Sequence, residues 1–314
     1  MIKTGKESIH KTVLLKETID GLGLSRSKAF ENPQSLASEK IVLDATFGGG
    51  GHSKEILKRY PNVKIIALDQ DENVFKDFSD KRISFKNINF RDLDNLGARL
   101  PKGSRAPKFD AIIFDLGLSS DQLENSGRGF SFMKNEHLLM TMKENPLLED
   151  LTAMDIVNTW SEKSLADIIY GYGEEKFSRR IARGIIEARE KNKIQTTWDL
   201  VKVIENSVPA VYRKGRLHCA TKTFQALRIA VNDELGALQI GLEKGFEFLK
   251  KGGRMAVISF HSLEDRIVKR FYKGKEKDGE VILINKKPII PKEEEIKNNP
   301  RSRSAKLRIL QKIR

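Results

Sequence analysis

One cysteine, Cys219, stands in 314 residues, which excludes internal disulfides and cysteine-rich zinc clusters. A reducing, cytoplasmic setting and a metal-free protein are the expectation. No run of about 18 apolar residues occurs, so no membrane-spanning helix is expected. The opening MIKTGKESIHKTVLL holds no apolar stretch of signal-peptide length, so export is not expected either. Acidic residues are in short supply, 43 Asp plus Glu against 57 Lys plus Arg, for a formal charge of +14. That balance points to a polyanionic partner, although lysine enrichment alone could produce it, and the placement of the charge must decide. No internal repeat is present.

What the chain does have is a series of short apolar runs bounded by turn or polar residues: IVLDAT (41–46), KIIALD (64–69), DAIIFDLG (110–117) and RMAVISF (254–260). Buried parallel strands read this way. HSKEILKRY (52–60) lies between the first two with apolar residues at helical spacing, a strand–helix–strand unit that implies a parallel sheet. RISFKNINF (82–90) fits a further strand. Residues 147–214 carry no strand-like run but several amphipathic helical segments, with Thr152, Ser161 and Thr197 as expected N-caps. After them, TKTFQALRIAVNDELGALQIGLEKGFEFLKKGG reads as one long helix or two, closed by Gly252 and Gly253. KGKEKDGE (273–280) reads as a solvated loop or hairpin connection. The expected class is a doubly wound α/β sheet with an all-helical insertion. The expected division is 1–130 for the first part of the sheet domain, 131–214 for the insertion and 215–314 for the second part with a basic tail.

Asp44 to His52 reads DATFGGGGH, after a strand and before a helix, where backbone amides and the positive helix end face a ligand. A dinucleotide fingerprint would need a third glycine where Ser53 stands, so the dehydrogenase pattern fails. Asp69 ends the second strand, the position from which a carboxylate grips ribose hydroxyls in nucleotide-binding α/β folds. An adenosine ligand without a pyrophosphate fits both features. Asp115 closes another buried strand, where open α/β sheets place their ligands. By itself it reads equally as a cap for the next turn. On these residues alone, an oxidoreductase, a non-enzymatic RNA-binding protein and a methyltransferase for RNA, DNA or protein all stay open.

HKTVLL, DATFGGGGHS, DLGLSSDQL, GRGFSF, YGEEKFSRRIAR, TKTFQALRIAVNDEL, GGRMAVISFHSLEDRIVKRF and NPRSRSAKLR occur in that order. Together they resemble the bacterial 16S ribosomal RNA (cytosine-N4) methyltransferase family from His10 to about Arg308. The resemblance implies a Rossmann-like class I methyltransferase sheet interrupted by a helical RNA-recognition domain. It implies S-adenosyl-L-methionine as cofactor, and a cytosine in the decoding region of 16S ribosomal RNA, free or in the small subunit, as target. Homodimerisation is left open. Carried over by motif, the cofactor contacts would be Gly50, Gly51, His52, Asp69, Phe90, Asp115 and Gln122. Cytosine N4 is a poor nucleophile, because its lone pair is delocalised into the ring, and a carboxylate that accepts its proton would help. Asp115 is the candidate acceptor.

Enzymes that modify bases take the target out of its stack and often hold it against an aromatic ring. Phe130 and Phe132, with Arg128 toward a phosphate, are candidates for the substrate side, and so are His261 at the rim of the last main strand and Arg301 and Arg303. The tail RSRSAKLRILQKIR has six basic residues and no acid, and its apolar alternation is expected to pair as an edge strand. One departure stands out: after GRGFSF the family pattern PLDMRM is replaced by residues 137–142, so that Leu139 and Thr141 stand where Asp and Arg are usual.

Overall fold

The computed structural model describes residues 11–24, 39–76, 78–98, 108–144 and 146–314; His10 lies outside them. The chain separates into two compact units, Met1–Leu118 with Leu235–Arg314, and Ser119–Glu234.

The first unit opens with helix α1 (Leu15–Gly21), then alternates β1 (Lys40–Asp44), α2 (Gly51–Arg59), β2 (Val63–Asp69), β3 (Ile83–Asn87), α3 (Asn95–Ala98) and β4 (Phe109–Asp115). The second unit holds α4 (Ser120–Glu124), α5 (Ala153–Thr159), α6 (Glu162–Gly171), α7 (Ser178–Arg189), α8 (Thr197–Ser207), α9 (Ala210–Arg213) and α10 (Thr221–Asn232). The first unit then resumes with α11 (Glu234–Phe248), β5 (Leu249–Ser259), α12 (Ser262–Lys277), β6 (Val281–Leu283), α13 (Glu293–Asn298) and β7 (Lys306–Lys312).

The sheet order is β3-β2-β1-β4-β5-β7-β6. The first five strands are parallel, and β7 runs antiparallel to both neighbours. Strand order reverses between β1 and β4, which places a topological switch point at their carboxyl ends, beside Asp44 and Asp115. Alternation along the strands builds two cores. Val42, Ala111, Ile113 and Ile258 pack with Ile19 and Ile56 of α1 and α2. Leu43, Ile112, Phe114 and Val257 pack with Leu242 and Val268 of α11 and α12. Both faces are covered, which explains why the strands read as nearly continuous apolar runs rather than as alternations.

Several boundaries differ from the sequence reading. The expected edges at 130/131 and 214/215 fall inside the helical unit, because the DLGLSS turn enters α4 and because α10 packs on α5 and α6. Of the two readings open for the long helical stretch, two helices are found, parted at Asp233, whose φ of 45° is left-handed and ends α10. Gly252 and Gly253 do not close a helix. They lie in β5, where the register shifts between Phe109 and Ala111 of β4. Residues 273–277 continue α12 instead of forming a loop, and Asp278 caps it. Thr152 and Ser161 are N-caps as expected, but the cap of α8 is Thr196, not Thr197. Thr197 has turned inward, and its hydroxyl donates to the Lys134 carbonyl at 2.6 Å. Finally, β7 is no edge strand: it sits between β5 and β6.

Candidate active site

Three carboxylates end three adjacent parallel strands: Asp69 on β2, Asp44 on β1 and Asp115 on β4. Each is fixed differently. Asp69 accepts the Gly48 amide through Oδ2 (2.8 Å) and the Asp71 amide through Oδ1 (3.0 Å), so it ties the glycine loop to the end of β2. The buried Asp44 accepts the Ser53 hydroxyl at 2.6 Å. The Asp115 amide donates to Thr46 Oγ1 at 2.6 Å, which anchors the end of β4 to the loop after β1.

Burial pushes the Asp69 and Asp44 carboxyls up to about 6 in spite of these hydrogen bonds. Asp115 goes further, to about 8, through burial first and then the negative charges of Asp44 and Glu264. Its Oδ1 is buried and has no hydrogen-bond partner, while Oδ2 lies 3.6 Å from His52 Nδ1. A crowded, desolvated set of carboxyls with one oxygen left over is suited to a ligand that brings positive charge or hydrogen-bond donors. A sulfonium nucleoside with ribose hydroxyls is such a ligand.

The glycine loop is built as tightly against the protein as against any ligand. Gly50 has φ 69° and caps α2, and a Cβ there would stand 2.6 Å from the Phe47 ring. A Cβ at Gly51 would stand 1.7 Å from Thr12 Oγ1. These glycines are therefore demanded by Phe47 and Thr12 as well as by close ligand approach. His52 is buried in the first turn of α2. Phe90 starts a short turn after β3 and stands edge-on to Phe114 at 5.5 Å, so at least part of its ring belongs to the core. Gln122 exchanges hydrogen bonds with Ser119: Ser119 N donates to Gln122 Oε1 at 3.0 Å, and Gln122 N donates to Ser119 Oγ at 3.2 Å. Its side-chain oxygen thus braces the start of α4.

His261 is the N-cap of α12, closed by a capping box with Glu264. Its Nδ1 accepts the Glu264 amide at 3.5 Å, and its Nε2 stands 3.1 Å from Glu264 Oε1. The cap thus engages Nδ1, while the buried Nε2 has no hydrogen-bond partner.

On the expected substrate side, Arg128 is buried, donates to the Met142 carbonyl at 2.9 Å and stands over the Phe130 ring at 5.4 Å. Phe130 is buried as well. Phe132 stacks on His218 at 4.7 Å and meets Phe224 edge-on. Phe130 and Arg128 are committed to the interior of the helical unit, the outcome that burying large apolar area favours, whereas Phe132 is half-buried beside the exposed His218. Arg301 and Arg303 are exposed in the turn before β7. Arg308 of the same tail is not available to phosphate, being buried in a two-pronged pair with Asp265 at 2.7 and 3.2 Å. Asp44, Thr46, Ser53 and Thr12 were missed by sequence reading. Only Asp44 carried a signal, since it ends an apolar run as Asp69 and Asp115 do.

The family described as the MraW methylase family matches residues 7–313. A protein of Synechococcus elongatus named "Ribosomal RNA small subunit methyltransferase H" is 46% identical, over 97% of this chain and 95% of that one. Its namesake from Persephonella marina is 44% identical, over 87% and 93%. A third, from Clostridium botulinum, is 42% identical, over 97% and 99%. With nearly its full length matched, the chain belongs to the MraW methylase family and is a methyltransferase whose methyl donor is S-adenosylmethionine.

Proposed function

We propose that this enzyme methylates the N4 amine of a cytidine in the decoding region of 16S ribosomal RNA, with the small ribosomal subunit or its RNA as partner. The observation that carries the reading is the buried Asp115 Oδ1, which has no hydrogen-bond partner at the switch point of the sheet. Relatives matched over nearly their full length that bear the name of a small-subunit RNA methyltransferase support the choice of substrate. Among the described residues no helix is long and apolar enough to cross a membrane.

S-adenosylmethionine supplies an electrophilic methyl group on a sulfonium. The chain does the rest. Asp69, braced by two backbone amides, offers its remaining lone pairs to ribose hydroxyls. Gly50, Gly51 and His52 line the adjoining loop, and Phe90 completes the proposed cofactor shell on the sheet unit. Asp115 receives a proton from the exocyclic amine through Oδ1 as the nitrogen becomes nucleophilic. A positive charge nearby lowers a carboxyl pKa, so Asp115 is better prepared to accept a proton once the donor is bound. Orientation of the two reactants supplies much of the remaining acceleration.

Leu139 and Thr141, where the family pattern carries a charged pair, do not change this reading. Thr141 is buried with its hydroxyl accepting the Lys143 amide at 3.2 Å. Replacing both members of a pair strands no buried charge. The test is expression in a strain that lacks its own family enzyme, followed by nucleoside analysis of small-subunit RNA. N4-methylcytidine is expected; its absence, with the protein folded and binding cofactor, would overturn the substrate assignment.

A further inference from the structure

In the helical unit, α7 and α8 cross closely enough that a Cβ on Gly184 would stand 2.1 Å from Ser207 Oγ. Around that crossing opens a groove of about 540 Å³. Arg180 and Arg183 from α7, Lys191 and Lys193 from the following turn and Lys202 from α8 line it, against only two carboxylates, Glu187 and Asp199. Asp199 caps α8, accepting the Thr196 and Gln195 amides, and also lies within the field of Lys202. Arg183 has Glu162 at 3.8 Å. Among the described residues, Lys191, Lys193 and Lys202 enter no ion pair, and all three are exposed.

Beside this groove stands an unusual surface residue. Trp198 is 53% exposed in the first turn of α8. It precedes Lys202 by four residues, and Asn206, which also lines the groove, follows four later. Residues spaced by four lie along one face of a helix, so the indole continues the stripe that forms the groove wall. Cations along a channel with an aromatic ring in line are what a nucleic-acid strand needs, phosphates on the charges and a base on the ring. An acidic polypeptide would use the charges and leave the indole idle. Arg180 to Glu187 covers about 10 Å of helix at ~1.5 Å per residue, long enough for more than one phosphate of a strand.

We propose that the α7–α8 groove is a sequence-independent track for a single-stranded segment of the substrate RNA, with Lys191, Lys193 and Lys202 on phosphates and Trp198 under a base. It rests on the RNA-methyltransferase reading and assigns that reading's substrate a second, non-catalytic contact.

The full-length protein is titrated with a single-stranded small-subunit RNA fragment at several salt concentrations. Neutralising the three lysines (Lys191→Gln, Lys193→Gln, Lys202→Gln) is expected to weaken binding at least tenfold and to flatten the salt slope by about 2, at ~0.7 per phosphate. Thermal unfolding and S-adenosylmethionine affinity should not change. Trp198→Ala should weaken binding roughly five- to hundredfold. In a Trp160→Phe background, where Trp198 is the sole tryptophan, RNA should quench its fluorescence. Wild-type affinity and salt slope in the lysine variant, while the wild type itself binds RNA, would overturn the groove assignment alone. Failure of the wild type to bind RNA at all would overturn the RNA reading beneath it. Polyglutamate that binds as tightly as RNA, with Trp198 silent, would assign the groove to an acidic protein instead.

Discussion

His52 Nδ1 stands 3.6 Å from Asp115 Oδ2, each residue at the edge of the same switch point, one in the first turn of α2 and the other at the end of β4. The separation exceeds a hydrogen bond, and the imidazole does not rescue the carboxylate from its desolvation: Asp115 stays at about 8. A site so tuned is costly to the empty protein and favourable to a cationic ligand.

The first consequence is for stability. Asp115 rises from 3.8 to about 8 on folding, so between those values the unfolded chain has lost its proton while the folded one keeps it. Stability therefore falls as pH climbs from about 4 to about 8. Asp115→Asn removes this loss. In the absence of cofactor, its melting temperature should exceed the wild type's at pH 7.5, with the difference closing toward pH 4. Methyl transfer should be largely abolished. An offset independent of pH would assign the effect to something other than the carboxyl.

Cofactor affinity should carry the opposite dependence. A sulfonium beside Asp115 favours the ionised carboxyl, so binding should expel a proton at pH 7. Affinity should strengthen as pH rises toward about 8 and level off beyond it. Calorimetry in two buffers of different ionisation heat reads the proton directly. No proton release at pH 7 would mean that Asp115 does not face the cation.

How much of this was open to sequence reading follows from where each signal resides. The strands announced themselves because both faces of the sheet are buried, and Asp69 and Asp115 were legible because each ends an apolar run. The place of β7 was not legible: Leu307 and Ile309 alternate with Arg308 between them as an edge strand would, and only the pairing with both β5 and β6 reveals an interior position. Arg128 reads as a phosphate ligand in the sequence, since no local pattern shows that the Met142 carbonyl will receive it. Thr12 on Gly51 is likewise a contact between segments far apart in the chain, which no periodicity encodes.

That contact gives a third prediction. Gly51→Ala places a methyl 1.7 Å from Thr12 Oγ1, an overpacking that costs about 1–3 kcal/mol. Thr12→Ala removes the hydroxyl and should recover part of the loss. A double-mutant cycle by denaturant unfolding should then give a coupling of about 1 kcal/mol or more. Additive effects would show that the loop moves aside instead.

Asp69→Ala should weaken cofactor binding by about 1.5–3 kcal/mol, the scale of a hydrogen bond to a charged group. The Gly48 and Asp71 amides also lose their acceptor, so the glycine loop should exchange its amide hydrogens faster. Wild-type affinity in calorimetry would remove Asp69 from the cofactor site.

The basic tail must be tested by substitution and not by removal. Truncation after Pro300 would take β7 out of the middle of the sheet, leaving β5 and β6 without their shared neighbour, so unfolding of that unit would mask any effect on RNA. Arg301→Gln with Arg303→Gln changes exposed side chains, for which stability effects stay within about 0.5 kcal/mol. If both meet phosphate, the salt slope of RNA binding should fall by about 1 for each. Arg308 is different. Arg308→Ala leaves the Asp265 carboxylate buried, and breaking such a pair costs about 3–5 kcal/mol. Lys306 Nζ, 3.4 Å from Asp265 Oδ2, remains as a partial partner, which puts the expected loss at the lower end. Replacing both members, Asp265→Asn with Arg308→Met, leaves no charge stranded and should recover much of the stability in urea unfolding. Cofactor affinity should stay unchanged throughout. If instead the double variant is as unstable as Arg308→Ala, the pair is holding β7 to α12 through its geometry and not merely cancelling two charges.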